Sequence, residues 1–328
     1  PAYLFSNSGF ILKVFNFIFN DLLSYGVYGV EEIEYYLRHI FLNIYLVCTL
    51  IFSYYLYSKL EGKEKAFQFI IILTLIPSFS GQALFNLKDI PFMMQTVICI
   101  LYTLIILKKF NYVTTKSKLI LGVLFGLILL VRLNGIVFMF IVAFFSIFFF
   151  DFKKYKIVKF LSFWIEVLFI SIFTLFLGTP SLWQKPKLWF TESIETQFHI
   201  YWDSYVLTNG IFSFAMDIDP LYLIKQLFFK LPIIFHLAVL IFIFLFIKHK
   251  LYRDFRKNLL LSFSIYFILL VVLGFITTTP VAYDGIRQYL FLLPFFSIFL
   301  VETLNILKIT HLKKGVIFLE IGRNLFSN

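Results

Sequence analysis

Apolar residues come in long runs along this chain, and short polar clusters separate them. A helix rises about 1.5 Å per residue, so a hydrocarbon core of roughly 30 Å needs about 17–25 mostly apolar residues to cross it. Such runs fall at 38–58, 66–80, 92–107, 119–131, 135–150, 160–178, 232–247, 259–276 and 288–307. They predict an all-α, polytopic transmembrane helical bundle of about nine spans, because a lipid-exposed backbone must satisfy its own hydrogen bonds. The break at 132–135 reads either as a tight turn between two helices or as a kink in one. Upstream, Ile11, Val14, Phe15, Ile18, Phe19 and Leu22 recur at helical spacing. That pattern suits an amphipathic helix lying on the membrane surface, with a crossing helix that is too short as the alternative. The organisation expected is an external interfacial segment at 1–37, the bundle at 38–307 with a long external loop at 179–231, and a cytosolic tail at 308–328.

Composition supports the bilayer reading. The 328 residues are 61% hydrophobic and 14% charged, against roughly 45–50% and 25% in soluble domains. The net charge of +11 would suit a nucleic-acid partner only if the basic residues shared one soluble face. They do not, so no nucleic acid is expected. The loops at 59–65, 108–118, 151–159, 248–257 and 308–314 hold 19 of the 29 Lys and Arg residues. The alternate loops hold nine, spread over a much longer stretch of chain, and by the positive-inside rule they are external. The 47 Phe and 19 Tyr accompany many Ile, Lys and Asn, which points to coding bias rather than to an aromatic ligand. Cys48 and Cys99 both lie inside apolar runs and spell no disulfide or metal framework. No phosphate-binding glycine loop, serine elbow, recognisable repeat or cleavable signal peptide is visible.

Polar residues concentrate at the external ends of the runs. In Phe85-Asn86-Leu87-Lys88-Asp89-Ile90-Pro91-Phe92, Pro91 suits the first turn of a helix and Asp89 can cap its free N–H groups. Capping leaves Lys88 unexplained on the side where basic residues are scarce. In Arg132-Leu133-Asn134-Gly135 the guanidinium either snorkels to the headgroups or offers paired donors to a phosphate. In Tyr283-Asp284-Gly285-Ile286-Arg287-Gln288-Tyr289, Asp284 and Arg287 either pair with each other or face the cavity of Lys88, Asp89 and Arg132. Trp183, Trp189 and Trp202 in the 179–231 segment read as an interfacial belt, with carbohydrate stacking as the sharper alternative. His39, Glu166 and His236 have structural readings, and no His or Cys cluster has metal-ligand spacing.

The first of these segments resembles the N-P-K-D-I-P-F signature of polytopic glycosyltransferases of the GT-C class. These are the family 39 proteins related to dolichyl-phosphate-mannose–protein mannosyltransferases and lipid A aminoarabinose transferases. Leu87 stands where that signature has Pro. Three further stretches agree in order: Tyr36-Leu37-Arg38-His39-Ile40-Phe41-Leu42-Asn43, the run from Gly122 to Val131-Arg132-Leu133-Asn134-Gly135, and Tyr283-Asp284-Gly285-Ile286-Arg287 followed by Phe291-Leu292-Leu293-Pro294. The resemblance extends from about residue 20 to 305. It implies a GT-C-like bundle in a bacterial inner membrane, and inverting transfer of a hexosyl or pentosyl group from a polyprenyl-phosphate donor outside the cytosol. The acceptor would be protein, lipid or envelope glycan. Lys88, Arg132 and Arg287 would bind the donor phosphate, and Asn86, Asp89, Asn134, Tyr283 and Asp284 would orient the site. No cofactor is implied, and a divalent metal is left open. The family's catalytic acidic residues are expected upstream of Pro1. The alternative class is a secondary transporter or lipid-linked sugar flippase, for which interrupted helices and inverted repeats would be the signature.

Overall fold

The computed structural model describes residues 30–110, 113–150, 157–198, 204–208, 210–249, 258–282 and 285–308. The expected surface helix at 11–22, Tyr283, Asp284 and the tail from 309 lie outside them. The chain runs through α1 (Val30–Glu61), α2 (Lys63–Leu75), α3 (Pro77–Ala83), α4 (Asp89–Lys108), α5 (Thr115–Val131), α6 (Gly135–Phe149) and α7 (Ile157–Gly178). There follow α8 (Pro180–Gln184), α9 (Pro186–Phe198), a hairpin of β1 (Tyr205–Thr208) and β2 (Ile211–Phe214), α10 (Tyr222–Lys230), α11 (Ile233–His249) and α12 (Leu259–Thr278). The last helix, α13 (Arg287–Lys308), opens as a 3-10 turn over Arg287–Leu292.

Among the described residues, five helices are long and apolar enough to cross a membrane: α1 from Tyr35, α4, α7, α12 and α13. The number rises to seven if α2 with α3, and α10 with α11, each form one broken span. Every apolar run seen in the sequence is helical, but α5 and α6, with 17 and 15 residues, are short for a crossing. Two stretches hold structure that the apolar runs alone do not show. The run at 66–80 is bent by 75° between α2 and α3, because Pro77 offers no N–H to the preceding turn and holds Ile76 extended (φ −70°, ψ 120°). Among the described residues, the 179–231 segment holds three helices and a hairpin.

The core forms around α4, whose apolar window is 83% buried. Phenylalanines fill the space between α4, α6, α12 and α13. Phe92, Phe138 and Phe291 meet at ring-centroid distances of 5.3 and 4.7 Å, and Phe267 lies 4.5 Å from Phe295. By contrast, α1 and α7 turn Ile51, Ile165 and Phe169 outward, which in a bilayer is the favourable place for them.

Helices α5 and α7 pack side by side and parallel, in a register that advances by four residues on both. A Cβ added at Gly122 would lie 2.5 Å from the Ile170 Cβ, and one at Gly126 would lie 2.4 Å from the Thr174 Cβ. One turn on, a Cβ at Gly178 would meet Leu130 at 2.6 Å. One turn back, Lys118 donates to both Glu166 carboxylate oxygens at 2.8 Å. Small residues at this spacing let the two backbones approach, and dispersion does the rest. Because α5 and α7 run parallel, α6 returns between them.

A polar staple closes the end of the bundle where α1 finishes. Glu302 of α13 is buried and accepts from Tyr57 at 2.8 Å and from Lys65 at 2.7 Å. Lys65 also reaches Glu61 at 3.2 Å, and Lys108 of α4 reaches the same Glu61 at 3.1 Å. Two lysines and two carboxylates thus tie α1, α2, α4 and α13 together with no net charge.

Candidate functional site

The opposite end of the bundle gathers charged residues from three parts of the chain. It is built by three chain reversals: the α3–α4 link, the α5–α6 turn and the start of α13. The first reversal is organised by Asn86, which is buried. Its Oδ1 accepts from the Asp89 N–H at 2.7 Å and the Lys88 N–H at 3.2 Å, and its Nδ2 donates to Gln82 and Asp89 at 2.9 Å each. The sequence reading gave the capping of α4 to Asp89. Asn86 does that work instead, and the Asp89 carboxylate is left for other partners.

Those partners are two guanidiniums. Arg132 donates through one terminal nitrogen to Asp89 Oδ1, and Arg287 donates its Nε to Asp89 Oδ2 at 3.1 Å. Arg132 also lies over the Phe92 ring, 5.6 Å from its centroid. Its position is fixed by the α5–α6 turn, which is a true turn and not a kink. The Arg132 N–H caps α5 on Ile128 O at 2.9 Å, and the Gly135 N–H returns to Arg132 O at 3.0 Å. A Cβ at Gly135 would fall 2.3 Å from the Ile128 Cγ2, so only glycine permits so tight a return. Asn134 is exposed and makes no side-chain cap bond.

Lys88 stands beside the pair. Lys88 is solvent-exposed, but partial desolvation, and after it the neighbouring Arg132 and Arg287 charges, hold its ammonium below the ordinary lysine range. A second anion brought to this place would relieve that repulsion. The cluster therefore sets three cations against one buried carboxylate among the described residues. The three predicted cations come from separate parts of the chain and converge on one place, as does Asp89. Arg287 pairs with Asp89, while the suggested partner Asp284, like Tyr283, lies outside the described residues.

Sequence reasoning missed two supports. Gln82 anchors Asn86, and Tyr222 of α10 accepts from the Gly285 N–H at 3.1 Å. Gly285 has φ +64°, a conformation that favours glycine, and it lies two residues before Arg287. Gln82 and Tyr222 carry no pattern that marks them; a helix start and an apolar moment were the only signals present.

Chemically, the arrangement offers cationic hydrogen-bond donors beside a carboxylate that is itself engaged. Asp89 accepts from Arg132, Arg287 and Asn86, so three of its roughly four lone-pair positions are taken. Each guanidinium presents five N–H groups in a planar fork, a geometry that suits phosphate oxygens as well as a carboxylate. No family model, curated protein or solved structure matches the chain.

Proposed function

We propose that this chain is a membrane glycosyltransferase that takes its sugar from a polyprenyl-phosphate-linked donor at the end of the bundle marked by Asp89. The observation that carries the reading is the convergence of Arg132 and Arg287 on one buried carboxylate, with Lys88 beside them, at the end of apolar helices. A phosphate carried on a lipid would arrive at that level, and three cations would meet it. The likeness of four segments to GT-C glycosyltransferases supports the same reading and supplies its polarity, with the site facing outside the cytosol. The loop charges place that end opposite the basic loops, and they extend the five to seven capable helices to nine crossings.

The chemistry follows from the charges. An acceptor hydroxyl attacks the anomeric carbon, the carbon–oxygen bond to phosphate breaks, and the electron pair leaves with the lipid phosphate. Lys88, Arg132 and Arg287 stabilise the charge that grows on the leaving oxygen. Asp89 is a positioning residue that aims the two guanidiniums. The acceptor's proton needs a separate carboxylate base.

The test is release of polyprenyl phosphate by the full chain in proteoliposomes, offered a panel of polyprenyl-phosphate sugars with a membrane extract as acceptor. Ala at Lys88, Arg132 or Arg287 is expected to cut release at least tenfold while insertion is unchanged. Equal release by all three variants would end the phosphate role, and uptake of sugar without release would favour a transporter.

A further inference from the structure

We infer that the β1–β2 hairpin and α10 form a seat that dips into the lipid headgroup–acyl boundary at the site end of the bundle. In an antiparallel pair, directly opposed residues share a face. The register pairs Tyr205 with Phe214 and Leu207 with Phe212, so one face is made of two phenylalanines, a tyrosine and a leucine and holds no charge. The other face carries Val206, which is buried and belongs to the main core, and Ile211, which stands exposed near the tip. The hairpin is thus anchored by the face opposite its aromatic one, and Tyr205, Leu207 and Phe212 point outward with 69, 54 and 69% exposure. This is the reverse of the usual arrangement, in which the apolar face is covered.

Helix α10 extends that surface. It turns by 110° into the apolar helix α11, so where α11 follows the membrane normal, α10 lies near the membrane plane. Tyr222, Leu223 and Leu227 face inward, while Ile224, Phe228 and Phe229 are exposed. An interfacial helix has this character, and aromatic side chains favour this depth. Asp219 turns the chain into α10, accepting from the Leu221 N–H at 2.8 Å and from Lys225. Through Tyr222, α10 also holds Gly285, so the seat fixes the height of the segment that leads into Arg287.

Continuity with α11 decides between lipid and a protein partner. Helix α10 runs into α11 across one bend, and α11 turns Ile233, Leu237, Leu240 and Phe244 outward. The bilayer that covers that apolar side reaches the seat as well, and each apolar side chain that enters it gains independently.

The inference does not depend on the reaction proposed above, and its test reads depth alone. Leu207→Cys and, separately, Phe212→Cys would be spin-labelled in a full chain carrying Cys48→Ser and Cys99→Ala, then reconstituted in phosphatidylcholine–phosphatidylglycerol vesicles. Power saturation would compare collision with oxygen, which partitions into lipid, and with a water-soluble nickel chelate. The expected oxygen-to-nickel ratio at both sites is several-fold above that of free label in buffer, with Tyr205→Cys as a third site should either variant misfold. A ratio equal to that of free label would overturn the inference. Exclusion of both reagents, the mark of a second copy or another protein covering the face, would overturn it as well.

Discussion

Replacing Asp89 by Ala removes a carboxylate that holds Arg132 and Arg287 together, and the structure sets the scale of the loss. The Asp89 side chain is 6% exposed and Arg132 is 21% exposed, so their contact lies largely out of water. A hydrogen bond to a charged group contributes about 1.5–3 kcal/mol when it is shielded in this way. Arg287 is 44% exposed, so its contact is screened and contributes about 0.2–1 kcal/mol. The bond from Asn86 adds about 1 kcal/mol. These contributions overlap, and a guanidinium released from Asp89 can turn to the headgroups, which argues for the lower half of the sum. The expected destabilisation is about 3 kcal/mol. The assay is a pair of double-mutant cycles, read by reversible unfolding in mixed detergent–dodecyl sulfate micelles with circular dichroism. The Asp89–Arg132 coupling is expected near 2 kcal/mol and the Asp89–Arg287 coupling below about 1 kcal/mol. Equal couplings, or a larger one for Arg287, would refute the argument that burial sets the hierarchy.

Three further outcomes are expected. Gly126→Ala places a methyl against the Thr174 Cβ, 2.4 Å away, and should cost about 1–3 kcal/mol in the same unfolding assay; Thr174→Gly should restore part of it. Tyr57→Phe removes the 2.8 Å donor to buried Glu302 and should cost about 1.5 kcal/mol, whereas Lys59→Ala in the same helix should change stability little. Lys88 gives a pH signature. Its pKa is lowered in the fold, so a stability penalty from its charge is full below that pKa and is relieved as pH rises toward the ordinary lysine value of about 10.4. Phosphate binding should therefore weaken on the alkaline side before the ordinary lysine range is reached, and Lys88→Arg should carry binding to higher pH. Isothermal titration across pH reads both limbs.

Much of the architecture was legible because a bilayer imposes a simple demand on length and apolarity. Each apolar run proved helical, and the break at 132–135 was visible from Arg132 and Gly135 although its geometry was not. The sequence could not say that α2 and α3 part at Pro77, since the apolar run continues across it. Nor could it say that Asn86 rather than Asp89 caps α4. That choice is made by tertiary partners: once two guanidiniums claim the carboxylate, the neutral amide serves the backbone. The convergence of Lys88, Asp89, Arg132 and Arg287 followed from placing all four at the same end of adjacent helices. Glu302 went unnoticed because its partners Tyr57 and Lys65 are more than two hundred residues away. The hairpin was hidden by aromatic residues that suit a strand, an interfacial belt and a span alike.

The central claim is that the cations at the Asp89 end hold a phosphate carried on a lipid. Native mass spectrometry of the full chain with polyprenyl monophosphate, and with the uncharged polyprenol of equal length, tests it most directly. The account predicts one saturable phosphate lipid per chain, affinity lowered at least tenfold by Arg132→Ala or Lys88→Ala, and little binding of the alcohol. Equal binding of the alcohol and the phosphate, or affinity untouched by either substitution, would contradict it.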